Sequence, residues 1–144
     1  MPFVLDASIA ASWAFQGDEA HPHSALAYAR IRTDEAFIPM LWWFEVRNAL
    51  VVNERRERIT QSDTAIFLRG LSRFAMRVDR LPDEAAVLRL ARTRRLSVYD
   101  ASYLELAQRE GVPLATLDAA LARAARIENV PLIGEMIDET IGDI

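Results

Sequence analysis

The stretch LSVYDASYLELAQREGVPLATLD, residues 96–118, decides how the chain folds. A short apolar opening leads to Asp100, residues 101–109 read as a helix, and Gly111 and Pro113 stop it. Residues 114–117 then read as a strand, and Asp118 opens another helix to about Arg126, followed by a last short strand over 130–133. The same alternation runs through the N-terminal part. Phe3-Val4-Leu5 is a strand ending at Asp6, 8–15 and 19–32 read as helices, and 36–39 is a strand closed by Pro39. Leu41, Phe44, Asn48 and Val52 recur at helical spacing, and 59–63 breaks that helix while supplying caps for the next, which runs to about Phe74. Residues 41–74 are therefore a helical hairpin with Arg55, Arg56 and Arg58 at its tip. A weak strand over 76–81 and a helix from Pro82-Asp83-Glu84 to about Arg94 complete the pattern. Short strands alternating with helices indicate an α/β fold: one central parallel sheet of about four to five strands, flanked by helices on both faces. The expected division is a single domain over 1–133 and its tail over 134–144.

At 144 residues the chain is long enough for one real core and short for two. Cysteine is absent, which excludes disulfide scaffolds, thiolate zinc sites and cysteine nucleophiles. All 17 basic residues are arginine, so lysine-dependent phosphotransfer and Schiff-base chemistry are excluded as well. No apolar run is long enough to span a membrane, and Asp6 interrupts the N-terminus where a signal peptide would stay apolar, so a cytoplasmic protein is expected. The net charge of -4 argues against a general nucleic-acid binder, but its placement is uneven. Residues 54–95 hold 11 Arg against 6 acids, between two acidic ends. Such a basic middle suits an anionic partner or, equally, a solvated hairpin.

Four acids stand directly against apolar runs: FVLD at Asp6, LWWFEV at Glu45, LSVYD at Asp100 and LATLD at Asp118. Each Asp also suits a helix N-cap, and Glu45 also suits a carboxylate reaching out to water. As a set they suggest more, because ligands of open α/β sheets bind beyond the carboxyl ends of the strands. Glu45 and Asn48, three apart, present a carboxylate and an amide on one helical face. Several carboxylates in one cleft without lysine repel each other, and a divalent cation relieves that; oxygen-only ligands suit Mg²⁺ or Mn²⁺. Ser8 and Thr116, each two residues from an Asp, suit orienting hydrogen bonds or ordinary local caps.

The segments VLDAS, FEVRNAL, LSVYDASYLELA and LATLD, in this order over nearly the whole chain, resemble the PIN-domain ribonucleases, and the length resembles the VapC toxins of toxin–antitoxin pairs. The resemblance implies a PIN-like fold and a Mg²⁺-dependent endoribonuclease with Asp6, Glu45, Asp100 and Asp118 as its acidic quartet, supported by Ser8, Asn48 and Thr116. Mn²⁺ is expected to substitute. It further implies a homodimer inhibited by a VapB-like antitoxin. After Asp118 the family often has a further acid or an aromatic; this chain has Ala119, Ala120 and Leu121, which puts a fifth metal-site acid in doubt. In the expected mechanism Asp6 and Asp100 bind the ion most directly, Asp118 and Glu45 complete its shell, and Arg55, Arg56 and Arg58 contact the RNA backbone.

Competing readings are weaker. Receiver domains and haloacid-type phosphatases use a lysine that this chain lacks. A catalytically silent PIN-like module for RNA or protein is the main alternative, and a nuclease acting on DNA flaps is another. Trp13, Trp42 and Trp43 are expected in the core or a dimer contact, and His21-Pro22-His23 in a surface loop. The acidic, apolar tail suits a partner contact or a loose end.

Overall fold

The computed structural model describes residues 1–15 and 21–135. Four strands, β1 (Phe3–Leu5), β2 (Ala36–Pro39), β3 (Met76–Asp79) and β4 (Leu114–Ala115), form one parallel sheet in the order β3-β2-β1-β4. Among the described residues seven helices flank it: α1 (Ala7–Ser12), α2 (Pro22–Ile31), α3 (Leu41–Arg55), α4 (Gln61–Leu71), α5 (Glu84–Arg94), α6 (Val98–Glu110) and α7 (Ala119–Ile127). The first three strands build outward from β1 in one direction, and β4 returns to its other side. The boundary between β1 and β4 is therefore the topological switch point, where side chains beyond the strand ends face a crevice.

Strand composition follows position in the sheet. Phe3, Val4 and Leu5 are all fully buried, as an interior parallel strand covered on both faces must be. β3 is the edge, and its Arg77 is held off the strand by the Phe37 ring, 3.7 Å from guanidinium to centroid, and by Glu110 at 2.7 Å. α6 packs against β1, β2 and β4 and also against α5 and α7. That position explains why residues 101–107 are buried without interruption.

Several boundaries differ from the sequence expectation. The Ser97 hydroxyl accepts the Asp100 backbone N–H at 3.0 Å, so α6 begins at Val98 and Asp100 lies inside its first turn instead of capping it. The helix ends on Gly111 at φ +65°, a left-handed conformation that glycine adopts without steric cost. The expected strand over 130–133 is only an isolated bridge between Leu132 and Leu114, so the sheet has four strands. Pro131 leaves Leu132 a single pairing position there. The first helix is shorter than 8–15 and turns at Trp13, whose Nε1 donates to the Ser24 carbonyl at 2.9 Å. His21-Pro22-His23 is a helix start, with Pro22 at its first position and His21 Nδ1 accepting the His23 N–H. Residues 19 and 20 of the second expected helix, and 136–144 of the tail, lie outside the described residues. Trp13 and Trp42 are core residues, whereas Trp43 is 53% exposed with the Arg47 guanidinium 4.0 Å from its ring centroid.

Leu104, fully buried on α6, tests this packing. Leu104→Ala should cost about 2–5 kcal/mol in urea unfolding, and Leu81→Ala, at a position 82% exposed, within roughly 0.5 kcal/mol.

Candidate active site

β1 ends at Leu5, one residue before Asp6, and β4 at Ala115, and the two strand ends are locked by the Asp6 N–H donating to the Ala115 carbonyl at 3.0 Å. The Asp6 side chain is only 5% exposed. Two hydroxyls donate to the same oxygen, Oδ2: Ser8 from α1 at 2.7 Å and Thr116 from beyond β4 at 2.7 Å. Both hydroxyl oxygens in turn accept backbone N–H groups, Ser8 from Leu117 and Thr116 from Asp118, each at 3.0 Å. The result is a closed set of hydrogen bonds that fixes the start of α1 against the segment leading to α7.

The other three carboxylates arrive from three further helices. Asp118 caps α7, its Oδ1 accepting the Leu121 N–H at 2.8 Å. Glu45 sits one turn into α3, and its Oε1 accepts the Tyr103 hydroxyl at 2.6 Å. Asp100 lies in the first turn of α6, three residues before Tyr103 and so on neighbouring positions of one helix. Of the three Asp residues read as N-caps, only Asp118 caps with its side chain; Asp6 holds the cap position without such a bond, and Asp100 is past it.

Burial raises the pKa of three of these acids. Asp6 is pushed above the usual carboxylate range by burial, against the Thr116 and Ser8 hydrogen bonds, and Asp118 adds repulsion. Glu45 rises through burial, opposed by the Tyr103 hydrogen bond and reinforced by Asp6 and Asp100. Asp100 rises through burial and then through Asp118 and Asp6. Among the described residues none of the four has a salt-bridge partner. Other buried acids are different. Glu105, 2% exposed, accepts Arg109 Nε at 2.8 Å, and Glu128 accepts Arg94 Nε at 2.7 Å, with Arg89 and Gln108 on its other oxygen.

Among the described residues no group of three or more His, Asp or Glu already stands close enough to hold a metal ion. The donor set nevertheless fits one in kind, being carboxylate oxygens only and lacking a competing cation. Asp6, Glu45 and Asp118 each commit one oxygen to the protein, and Glu45, Asp100 and Asp118 are only part-buried, so their side chains have room to close inward.

The remaining expected residues are placed unequally. Ser8 and Thr116 are in the set just described. Asn48 is exposed one turn along α3 from Glu45 and makes no hydrogen bond among the described residues. Arg55, Arg56 and Arg58 close the far end of α3, about 15 Å along its axis from Glu45. Arg58 is turned inward, donating to Asn53 Oδ1 at 3.1 Å and lying 5.2 Å from the Phe15 ring centroid. Sequence reading missed Tyr103. The available signal was its place one turn after Asp100 on the same helix.

The sequence matches the PIN domain family over residues 3–127. The chain belongs to the PIN domain family. PIN domains are typically nucleases and usually bind divalent metals. Among solved structures, this PIN domain is similar to the crystal structure of PAE2754 from Pyrobaculum aerophilum, at 27% identity and a TM-score of 0.65, covering 86% of this chain and 87% of that one. No curated protein matches the sequence. No helix among the described residues is long and apolar enough to cross a membrane.

The raised carboxylates give the PIN domain a defined pH response. A carboxyl group whose pKa is higher folded than unfolded contributes stability that is complete below the unfolded value and is lost as pH rises through the folded one. For Asp6, Glu45 and Asp100 that loss begins near 3.8 to 4.5 and proceeds upward. In EDTA, Asp6→Asn should therefore melt above the unsubstituted protein at neutral pH, with the gap closing toward about pH 4. A variant that melts lower at neutral pH contradicts the electrostatic account.

Proposed function

We propose that this PIN domain is a Mg²⁺- or Mn²⁺-dependent endoribonuclease, the toxin of a VapBC-like type II toxin–antitoxin pair acting in the cytoplasm. The observation that carries the reading is that, among the described residues, Asp6, Glu45, Asp100 and Asp118 have no salt-bridge partner, in a protein that meets Glu105 and Glu128 with arginine. In this reading residues 1–133 are the nuclease domain and 134–144 its tail. Asp6 and Asp100 hold the ion most directly, with Asp118 and Glu45 completing the set. Such an ion, when bound, supplies an acidified water and charge neutralisation at the phosphodiester. Ser8 and Thr116 fix Asp6 so that one oxygen is committed and the other is presented. The Leu121 N–H does the same for Asp118.

Arg55, Arg56 and Arg58 supply phosphate contacts along the hairpin. They have no carboxylate partner among the described residues, unlike Arg77, Arg89 and Arg94 of the same basic stretch. Two uncovered apolar surfaces support the partner side of the reading. Met40, Phe44 and Val51 form an exposed stripe on α3, opposite the buried Trp42, Val46 and Leu50. Beside α4 lies an open groove of about 370 Å³ lined by Trp13, Tyr28, Ile66, Phe67, Arg73 and Phe74. A second copy and a VapB-like antitoxin are the occupants this reading assigns. The second reading, a silent RNA- or protein-binding module, is favoured by the open spacing of the carboxylates.

Cleavage of total RNA by the purified, antitoxin-free protein decides between them. Discrete cuts in Mg²⁺ or Mn²⁺ should vanish in EDTA and fall at least about 100-fold in Asp6→Asn and Asp100→Asn. Absence of cleavage by folded protein selects the binding module. Replacing all three hairpin arginines by alanine should reduce the salt slope of RNA binding by about 2, and an unchanged slope removes them from the interface.

A further inference from the structure

Tyr103 lies where three carriers of the acidic set meet. It is on α6, one turn from Asp100; its hydroxyl donates to Glu45 Oε1 of α3 at 2.6 Å; and α6 packs against β1, the strand that leads into Asp6. The residue is fully buried, so its ring is fixed by packing and its hydroxyl has no alternative water partner. Glu45 is only part-buried on a long, flexible side chain, and among the described residues this is the one hydrogen bond its carboxylate makes.

We propose that Tyr103 is the positioning residue of the acidic site, holding Glu45 by one oxygen so that only the other is available to a divalent cation. The inference rests on the metal-dependent nuclease reading. The hydroxyl acts as a donor here, because a carboxylate oxygen 2.6 Å away can only accept. A phenol is well suited to this role: the ring supplies rigidity through burial, and a single O–H can satisfy only one carboxylate oxygen. Outer partners that orient a ligand carboxylate usually matter for affinity nearly as much as the ligand itself. Tyr103 touches neither substrate nor ion in this arrangement, and it works through Glu45.

The test is Mn²⁺ binding followed by electron paramagnetic resonance, independent of any cleavage, with urea unfolding to establish that each variant is folded. Tyr103→Phe removes the hydroxyl and keeps the ring; it should weaken Mn²⁺ binding about 10-fold or more. Glu45→Gln should weaken it as well, and Tyr103→Phe added to Glu45→Gln should cost nothing further, because the hydroxyl then has no carboxylate to hold. A purely structural tyrosine would give losses that add, and that outcome overturns the inference. So does unchanged Mn²⁺ binding in Tyr103→Phe while Asp6→Asn abolishes it, which leaves the metal site standing. If the unsubstituted protein binds no Mn²⁺, both the metal reading and the role of Tyr103 are overturned together. Glu45→Gln keeps Tyr103 intact, so it provides the comparison even where Tyr103→Phe lowers stability.

Discussion

The hydrogen bonds from Ser8 and Thr116 to the buried Asp6 carboxylate hold the carboxyl ends of β1 and β4 together. A carboxylate in that position loses its hydration, and two hydroxyls return part of it. The same hydroxyls accept backbone N–H groups of Leu117 and Asp118, so solvating the acid and shaping the chain after β4 are one event. The parallel sheet makes this possible, since only the switch between β1 and β4 brings residues separated by 110 positions within 2.7 Å.

Around this point the distribution of arginine separates two kinds of acid. Three arginines of the basic middle are spent on structure: Arg77 meets Glu110, and Arg89 and Arg94 meet Glu128. With Arg109 of α6 binding Asp79, these pairs tie the middle of the chain to its acidic C-terminal third, while Arg109 also holds Glu105 within α6. Among the described residues Asp6, Glu45, Asp100 and Asp118 take no part in that exchange. Their repulsion is left in the folded protein, a pattern found where charge is kept for a ligand.

Much of this was legible in the sequence. Acids placed directly against apolar runs signalled the switch point, because a carboxylate after FVL or LATL has few reasons to be there. Fold class followed from the alternation of short strands with helices. Boundaries were less legible where local capping competed with periodicity. Ser97 starts α6 early and carries Asp100 into the helix, which apolar spacing alone does not reveal. Pro131 reduces the expected last strand to a single bridge. Tyr103 was hidden because aromatic residues on a buried helix ordinarily report packing, and the partner of its hydroxyl lies 58 residues away. Glu105 was hidden for the opposite reason, since its arginine is a local neighbour one helical turn on.

The hairpin is built asymmetrically. α3 inserts Trp42, Val46 and Leu50 into the core, whereas α4 buries only Leu71 and depends for its start on the Thr60–Asp63 capping box. An isolated helix of that length is marginal in water. Amide protons of α4 should consequently exchange through local opening at far lower free energy than those of α6, making α4 the first unit to fray. A protein that covered Ile66 and Phe67 would then bind and order this helix in one step, and its grip would be read most directly as slowed exchange in α4.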